Sequence, residues 1–376
     1  MRGGNERGER TPSGNAEQAG GKPTEGRLRV GYLGPEGTFT HEALLAELQR
    51  GEADGAEPIP LPTIYDTVMA VQAGEVERAL VPIENSLEGS VNATLDALAI
   101  EADSVVIVGE AVQPIRHCLI ARQPLELPEI EAIVSHPQAT AQCARFIRDR
   151  LPHARVMVGS STAEAVRRVA EQDRPWAALG NRVAAERYGC RVLCADVEDA
   201  SGNETRFVWL ARDAAGGRGG AATRRGGAAA DAPLDAGSGA GAGAPAGARE
   251  GAPTAAAADA HAGSGADAGA GAGAATGRAW KTAVVFWGAG SEAPGWLVRC
   301  LGEFASRQVN LTRIESRPRK QGLGQYMFFV DLEGHAEEPR VRGALEAVGA
   351  QVEVLRVLGS FAAARPPGGR GLTGGG

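Results

Sequence analysis

A long low-complexity segment divides this 376-residue chain into two parts with ordinary globular sequence patterns. Residues 212–279 are almost entirely Ala, Gly, Pro, Ser and Thr with scattered charges, and they carry no apolar periodicity that a core could bury. Frequent glycine disfavours the alternative of an Ala-rich helix, so we predict a disordered linker. As a Gly-rich coil of roughly 65 residues, it would have an r.m.s. span of about 40 to 50 Å. Folded domains are therefore expected at 28–211 and 280–362, with disordered ends at 1–27 and 363–376.

The composition argues against several classes of protein. A formal net charge of −7 at pH 7 gives no basic surface for a nucleic acid. The first 27 residues lack the apolar stretch of a signal peptide, and no apolar run elsewhere is long enough to span a bilayer. Five scattered cysteines form no CxxC pair, and Cys190 with Cys194 lacks the further ligands of a metal site. We therefore expect a cytoplasmic protein with reduced thiols, no bound metal, and no nucleic-acid or membrane partner.

The first domain alternates short apolar runs with amphipathic stretches, which is typical of an α/β fold. A helix is predicted from Thr40 onward, and a capping box, Ser161 with Glu164, opens another. Strands are predicted at Leu28–Leu33, Arg78–Val81, Val105–Val108, His117–Ala121, Ala132–Ser135 and Trp176–Gly180. Polar loops therefore follow several strands, where α/β sheets bind ligands.

The second domain has the element order βαββαβ, which predicts a ferredoxin-like unit. Helices are predicted at Pro294–Ser306 and Pro339–Val348. Strands are predicted at Thr282–Trp287, Leu311–Ser316, Tyr326–Leu332 and Val352–Leu358.

Four polar motifs in the first domain are candidates for chemistry. Each one alone is consistent with turns and helix caps, since Gly-Pro, Asn and Ser commonly occupy such positions. Their occurrence together is far more specific. The motifs are Gly34–Phe39 (GPEGTF), Val81–Gly89 (VPIENSLEG), Ser135–Gln138 (SHPQ) and Asn203–Phe207 (NETRF).

In this order and at this spacing, the motifs resemble the prephenate dehydratase family. The resemblance covers essentially all of 28–211 and includes His117-Cys118-Leu119, Ser161-Thr162-Ala163 and Tyr188-Gly189. The second domain resembles an ACT domain, the amino-acid-sensing unit of that family. The resemblance implies a bilobed fold similar to type II periplasmic-binding proteins and conversion of prephenate to phenylpyruvate, water and CO2. It further implies no cofactor, inhibition by L-phenylalanine, and a homodimer or homotetramer.

The resemblance also implies the roles of individual residues. The family's essential threonine falls on Thr205, which we treat as a hypothetical proton donor, and Arg206 is expected to grip the pyruvyl carboxylate. The other expected catalytic residues are Glu84, Asn85, Ser86, Ser135 and Gln138. The expected substrate-binding residues are Thr38, Phe39, Ser161, Thr162, Asn203 and Phe207.

The histidines are left out of the expected catalytic set, although histidine is the usual proton carrier. His41, His117 and His153 carry no predicted role. His136 adjoins the SHPQ motif, and we predict that it forms a hydrogen bond at a helix start.

Phenylalanine is expected to bind the ACT domain at the interface between paired subunits. The residues that the resemblance assigns to it are Gly295, Leu297, Val298, Glu315, Ser316, Arg317 and Pro318. Trp296 departs from the family, which has a small residue there, and its indole could either fill the effector pocket or point to a neighbouring surface.

Two other functions stay open at this point. Arogenate dehydratase uses the same chemistry on a substrate with an amine in place of the keto group, and a bilobed fold also serves non-catalytic small-molecule-binding proteins. The intact NETRF motif favours an enzyme. The N-terminal extension is too short for the chorismate mutase that is fused to some relatives, so a monofunctional enzyme is expected.

Overall fold

The computed structural model describes residues 27–53, 55–213, 279–288 and 293–364. Apart from a few edge residues, the predicted linker and both predicted disordered ends lie outside the described residues. None of the helices within those ranges is long and apolar enough to cross a lipid bilayer.

The first lobe is a mixed sheet covered by helices. Its strands pair in the order β2-β1-β3-β11-β5, with β4 added to β3. β1 runs parallel to β2 and β3, whereas β11 is antiparallel to β3 and β5. The elements are β1 (Arg29–Leu33), α1 (Phe39–Gln49), β2 (Glu57–Leu61), α2 (Ile64–Ala73), β3 (Arg78–Asn85), β4 (Gly89–Ser90), α3 (Asn92–Ile100), β5 (Val105–Pro114) and β11 (Glu204–Arg212).

The second lobe is a smaller mixed sheet with strand order β10-β6-β9-β7-β8. β7 is parallel to β8 and β9, while β6 pairs antiparallel with β9 and β10. The elements are β6 (Cys118–Ala121), β7 (Ala132–Ser135), α4 (Pro137–Gln142), α5 (Ala144–Arg150), β8 (Arg155–Val158), α6 (Thr162–Ala170), β9 (Trp176–Gly180), α7 (Arg182–Arg187) and β10 (Arg191–Cys194).

Two chain crossings connect the lobes, one between β5 and β6 and the other between β10 and β11. The crossings are hydrogen-bonded to each other: the Ile115 amide donates to the Asn203 carbonyl at 2.8 Å, and the Val197 amide donates to the His117 carbonyl at 3.0 Å. The polar motifs therefore converge on the space between the lobes, and the predicted bilobed α/β fold is confirmed.

The third unit has the predicted βαββαβ order and a sheet order of β13-β14-β12-β15. Trp296, Cys300 and Phe304 on its first helix pack onto the sheet, because positions four apart share one face of a helix. The elements are β12 (Trp280–Trp287), α8 (Trp296–Ser306), β13 (Leu311–Pro318), β14 (Tyr326–Glu333), α9 (Pro339–Gly349) and β15 (Val354–Ala362).

This third unit is docked firmly on the first lobe. One buried apolar cluster includes Ile107 and Leu210 of the first lobe together with Phe329 and Leu358 of the third unit. The buried Arg356 guanidinium of β15 also donates to the Leu98 carbonyl at 2.8 Å. The two domains therefore share a core, whatever the length of the chain between them.

The predicted elements are present, and the differences lie at their ends. β3 extends to Asn85 rather than ending at Val81, because its polar end still pairs with β11. α8 begins at Trp296, two residues later than predicted. The elements that were not predicted are β2, α2, β4, α3, α5, β8, α7, β10 and β11.

The shared core predicts that a cavity on the ACT side of it will destabilise the protein. Leu358 is only 2% exposed within the cluster, so Leu358→Ala should lower the free energy of unfolding by about 2 to 5 kcal/mol. Leu323→Ala removes the same atoms from a fully exposed side chain and should change the free energy of unfolding by about 0.5 kcal/mol or less. Urea denaturation of both variants measures the difference, and equal losses would contradict the shared core.

Candidate active site

A cleft of about 350 Å³ lies between the two lobes. Its lining is mostly hydroxyl, amide and apolar groups, and no Arg or Lys among the described residues lines it. The lining includes nine residues of the expected catalytic and substrate-binding sets: Thr38, Phe39, Asn85, Gln138, Ser161, Thr162, Asn203, Thr205 and Phe207.

Thr205 and Asn85 form the best-ordered polar pair in the cleft. They are directly opposite each other in the antiparallel ladder of β11 and β3. The Asn85 side-chain amide donates to the Thr205 hydroxyl oxygen at 2.9 Å and to the Asn203 side-chain oxygen at 2.8 Å. Since the Thr205 oxygen is an acceptor in this bond, its hydroxyl proton can be donated to a ligand in the cleft.

Two helices direct their N-termini at the cleft. Thr38 caps α1 by accepting from the His41 amide at 3.2 Å, and Ser161 caps α6 by accepting from the Glu164 amide at 3.0 Å. The N-terminal end of a helix carries partial positive charge and unsatisfied N–H groups. These two ends therefore supply electrostatic attraction for an anionic ligand.

Gln142 connects the lobes across the cleft, although the motifs did not indicate it. Its side-chain oxygen lies 2.9 Å from Nε2 of His117 and accepts from the Asn203 amide at 3.2 Å. Its side-chain amide donates to Glu88 at 3.3 Å. Gln142 follows Gln138 by four residues, so the two side chains lie on the same face of α4. That spacing was the sequence signal that could have indicated Gln142 as a cleft residue.

Two histidines line the cleft in different roles. His136 caps α4, as predicted, and its Nδ1 accepts from the Gln138 amide at 3.3 Å. His117 is 2% exposed, and burial lowers its pKa below the ordinary value. Its Nδ1 has no hydrogen-bond partner among the described residues, so a second ring proton would be left unsatisfied.

The structure places Arg206 away from the cleft, contrary to the expectation that it grips a substrate carboxylate. Its guanidinium donates to Glu110 at 2.7 Å and to Asp331 of β14 at 2.5 Å. The physical reason is the pleat of β11: Thr205 and Phe207 point into the cleft, so Arg206 between them points to the opposite face.

Three other expected catalytic residues also fall outside the cleft lining. Glu84 follows the same alternation and lies beside Arg206 at 3.4 Å. Ser86 supports the β11 end, accepting from the Glu204 amide at 3.0 Å. Ser135 is fully buried at the end of β7, and its hydroxyl has no partner among the described residues. The catalytic roles expected for these three residues stay predictions.

Comparison with known proteins places the chain in a family. Residues 30–215 match the family model described as prephenate dehydratase, and residues 292–350 match that of the ACT domain. The prephenate dehydratase of Amycolatopsis methanolica is 34% identical over 337 residues, which cover 89% of each protein. This chain belongs to the prephenate dehydratase family.

Two further similarities agree with this assignment. The bifunctional chorismate mutase/prephenate dehydratase of Aquifex aeolicus is 34% identical over 339 residues, covering 90% of this chain and 74% of that protein. The crystal structure of an Arthrobacter aurescens prephenate dehydratase in complex with L-Phe has a TM-score of 0.66 and 34% identity, covering 89% and 90% of the two chains. This member of the prephenate dehydratase family therefore combines the dehydratase domain with an ACT domain.

The residues of this chain that are expected to bind phenylalanine lie on two different surfaces of the ACT domain. Gly295, Leu297 and Val298 line a groove of about 240 Å³ on the ACT domain, with Tyr326 and Phe328. Glu315 and Arg317 instead contact the catalytic domain. The alternation of β13 explains this, because Arg313, Glu315 and Arg317 contact the first lobe while Ser316 and Pro318 between and after them are exposed.

Trp296 forms one wall of this groove and is part of the ACT core. It is 5% exposed, its indole N–H donates to the Gln351 carbonyl at 3.0 Å, and its ring packs against Phe286 and Phe328. The indole is therefore held in place by the core and leaves the groove open beside it.

The environment of His117 predicts a pH-dependent loss of stability. Its folded pKa lies below the ordinary value of 6.5, so the unfolded chain binds this proton more readily. The contribution of the neutral His117 ring to the free energy of unfolding is fully present above about pH 6.5. It is lost as the pH falls from there through the folded pKa. His117→Gln should show a smaller loss of unfolding free energy between pH 7 and pH 5 than the wild type. The exposed His153→Gln serves as the control, and a wild-type-like loss in His117→Gln would contradict this account.

Proposed function

We propose that this chain converts prephenate to phenylpyruvate, water and CO2 in the cleft between its lobes, and that L-phenylalanine inhibits it through the ACT domain. We further propose that it works as a homodimer or homotetramer in the cytoplasm, where its cysteines would stay reduced. The observation that carries the proposal is the pair of Asn85 and Thr205, whose arrangement leaves one hydroxyl proton to donate into the cleft.

The chemistry requires little beyond positioning and one proton. Prephenate loses its ring hydroxyl as water and its ring carboxylate as CO2, and the electron pair of the broken C–C bond completes the aromatic ring. Aromatisation favours the step, so the substrate needs no electron sink. The protein must orient the leaving groups and protonate the departing hydroxyl. We assign that donation to Thr205, with solvent restoring its proton afterwards.

The uncharged lining of the cleft suits a carboxylate that must leave as neutral CO2. A tight ion pair to the ring carboxylate would stabilise the ground state more than the transition state, because the charge disappears during the reaction. Hydroxyl, amide and helix N–H groups bind an anion more weakly. We assign the pyruvyl carboxylate, which keeps its charge, to the N-terminal ends of α1 and α6 at Thr38 and Ser161.

Arogenate remains the runner-up substrate, since the ring chemistry is the same. A non-catalytic binding protein is the third possibility, and it would bind prephenate without turnover. Absorbance of the aromatic product gives kcat/KM for prephenate and for arogenate in parallel assays. The larger value identifies the preferred substrate, and no turnover of either compound would indicate a non-catalytic binding protein.

Thr205→Val should lower kcat by about 10² to 10⁴ with little change in KM, because it removes the donated proton and keeps the shape of the side chain. The Asn85 amide keeps its acceptor on Asn203 in this variant. Thr205→Ser is the matched control and should retain most of the turnover. Steady-state phenylpyruvate formation measures both, and an unchanged kcat in Thr205→Val would remove this hydroxyl from the mechanism.

Val298→Glu should weaken inhibition by phenylalanine. Val298 is 72% exposed at the apolar groove of the ACT domain, and a carboxylate there would have to be desolvated against an aromatic ligand. We expect the phenylalanine concentration for half-inhibition to rise about tenfold, which corresponds to about 1.4 kcal/mol. Val158→Glu makes the same change at an exposed valine on β8 and should leave the inhibition curve unchanged. Identical inhibition curves for the two variants would mean that phenylalanine binds at a site other than this groove.

A further inference from the structure

A cluster of charged side chains lies directly behind the catalytic strand pair, where the ACT domain docks. We call it the Arg206 cluster; it consists of Arg206, Glu84, Glu110, Lys281, Arg313 and Asp331. Arg206 lies at its centre and donates to Glu110 from Nε at 2.7 Å and to Asp331 from Nη1 at 2.5 Å. Lys281 donates to the other oxygen of Glu110 at 2.8 Å.

The centre of the cluster is buried, Glu84 and Lys281 at its edge are 39% and 24% exposed, and its charges balance. The side chains of Glu110, Asp331 and Arg206 are 2%, 3% and 12% exposed. Three cations face three carboxylates: Arg206, Lys281 and Arg313 against Glu84, Glu110 and Asp331. Breaking a buried pair is costly because it leaves an uncompensated charge. Glu110 and Asp331 therefore hold the Arg206 guanidinium on two sides, and breaking either ion pair would leave a buried charge without its partner.

One of the two carboxylates that hold Arg206 belongs to the ACT domain. Glu110 lies on β5, the neighbour of β11 in the first lobe, whereas Asp331 lies on β14. A guanidinium presents its donors in a rigid planar fork, so two carboxylates on different elements fix its orientation and its distance from the backbone. The β11 backbone at Arg206 is thus attached to both domains.

Arg206 and Thr205 are consecutive residues on opposite faces of one strand. Any shift of the Arg206 backbone moves Thr205 relative to Asn85, which lies across the ladder at 2.9 Å. The ladder itself is irregular at this point, since its register with β3 shifts between Arg206 and Phe207. The extra residue of this bulge is Ile83 on β3, while β11 keeps a regular register with β5 from Glu204 to Trp209. The pairing of β11 with the Asn85 strand is therefore interrupted next to Thr205, and the side-chain attachment behind it helps to fix the distance between the two strands.

We infer that Arg206 is a positioning residue: through Glu110 and through Asp331 of the ACT domain, it holds β11 so that the Thr205 hydroxyl stays aligned in the cleft. The ACT domain then supplies a side chain on which turnover itself depends, in addition to its role in inhibition. This inference rests on the proposed dehydratase function of the same cleft.

A matched pair of variants tests the inference. Asp331→Leu removes the ACT-side acceptor of Arg206 while keeping the side-chain volume. Asp96→Leu makes the same change in another interdomain ion pair, in which Asp96 on α3 accepts from Arg317 at 3.0 Å and does not contact β11. Both variants lose one carboxylate at the same domain interface. A difference between their kcat values therefore reports on the attachment of β11 to the ACT domain.

Turnover of prephenate by the full-length chain, without phenylalanine and below the unfolding temperature of every variant, gives the readout. Asp331→Leu should lower kcat about tenfold or more and leave KM within about twofold, because misalignment affects the reacting geometry rather than substrate affinity. Asp96→Leu should leave both constants within about twofold. Equal kcat values for the two variants would overturn the inference, and so would a raised KM with an unchanged kcat in Asp331→Leu.

Arg206→Lys provides a second test that keeps the positive charge and loses the fork. We expect the same fall in kcat with KM nearly unchanged, whereas a residue that grips the substrate would raise KM instead. If Asp331→Leu fails to fold, this variant alone decides between the outcomes. A wild type that leaves prephenate unchanged would contradict the proposed function, while an active wild type with a fully active Arg206→Lys would contradict only the positioning role.

Discussion

The antiparallel ladder between β3 and β11 is the interaction on which the rest of this structure depends. It sets Thr205 opposite Asn85 and so forms the polar pair of the cleft. Because side chains alternate along a strand, the same ladder presents Glu84 and Arg206 on its other face. One face of these two strands therefore lines the cleft that we propose as the active site, and the other face contacts the ACT domain.

This arrangement changes what the segment between the domains has to do. The contacts between the two domains do not depend on the length of the segment that connects them in the chain. The shared apolar core, including Ile107 and Phe329, and the polar contacts at Ser90 and Asp96 join the domains directly. Ser90 accepts from Arg313 at 2.6 Å and donates to Glu315 at 2.8 Å on β13, one hairpin away from Asn85. These contacts join the surroundings of the cleft to the ACT domain without passing through the connecting segment.

The sequence was sufficient to predict the two domains, the βαββαβ order of the second and nine of the residues that line the cleft. These features follow from local patterns and from motifs that sit at strand ends. The direction of individual side chains was not predictable in the same way. A motif such as NETRF places Thr205 and Arg206 side by side in the chain, but only the register of β11 decides which of them enters the cleft. Gln142, Glu315 and Arg317 illustrate the same limit, because their partners come from distant parts of the chain.

The electrostatics of the two faces complement each other. The cleft has helix N-termini and neutral polar groups, which suits a substrate whose ring carboxylate must lose its charge. On the outer face the Arg206 cation neutralises Glu110 and Asp331, where burial alone would raise the pKa of Glu110 but Arg206 and Lys281 keep it below the ordinary value. The strand thus presents a hydroxyl to the cleft and, on its other face, a guanidinium that pairs with the ACT domain.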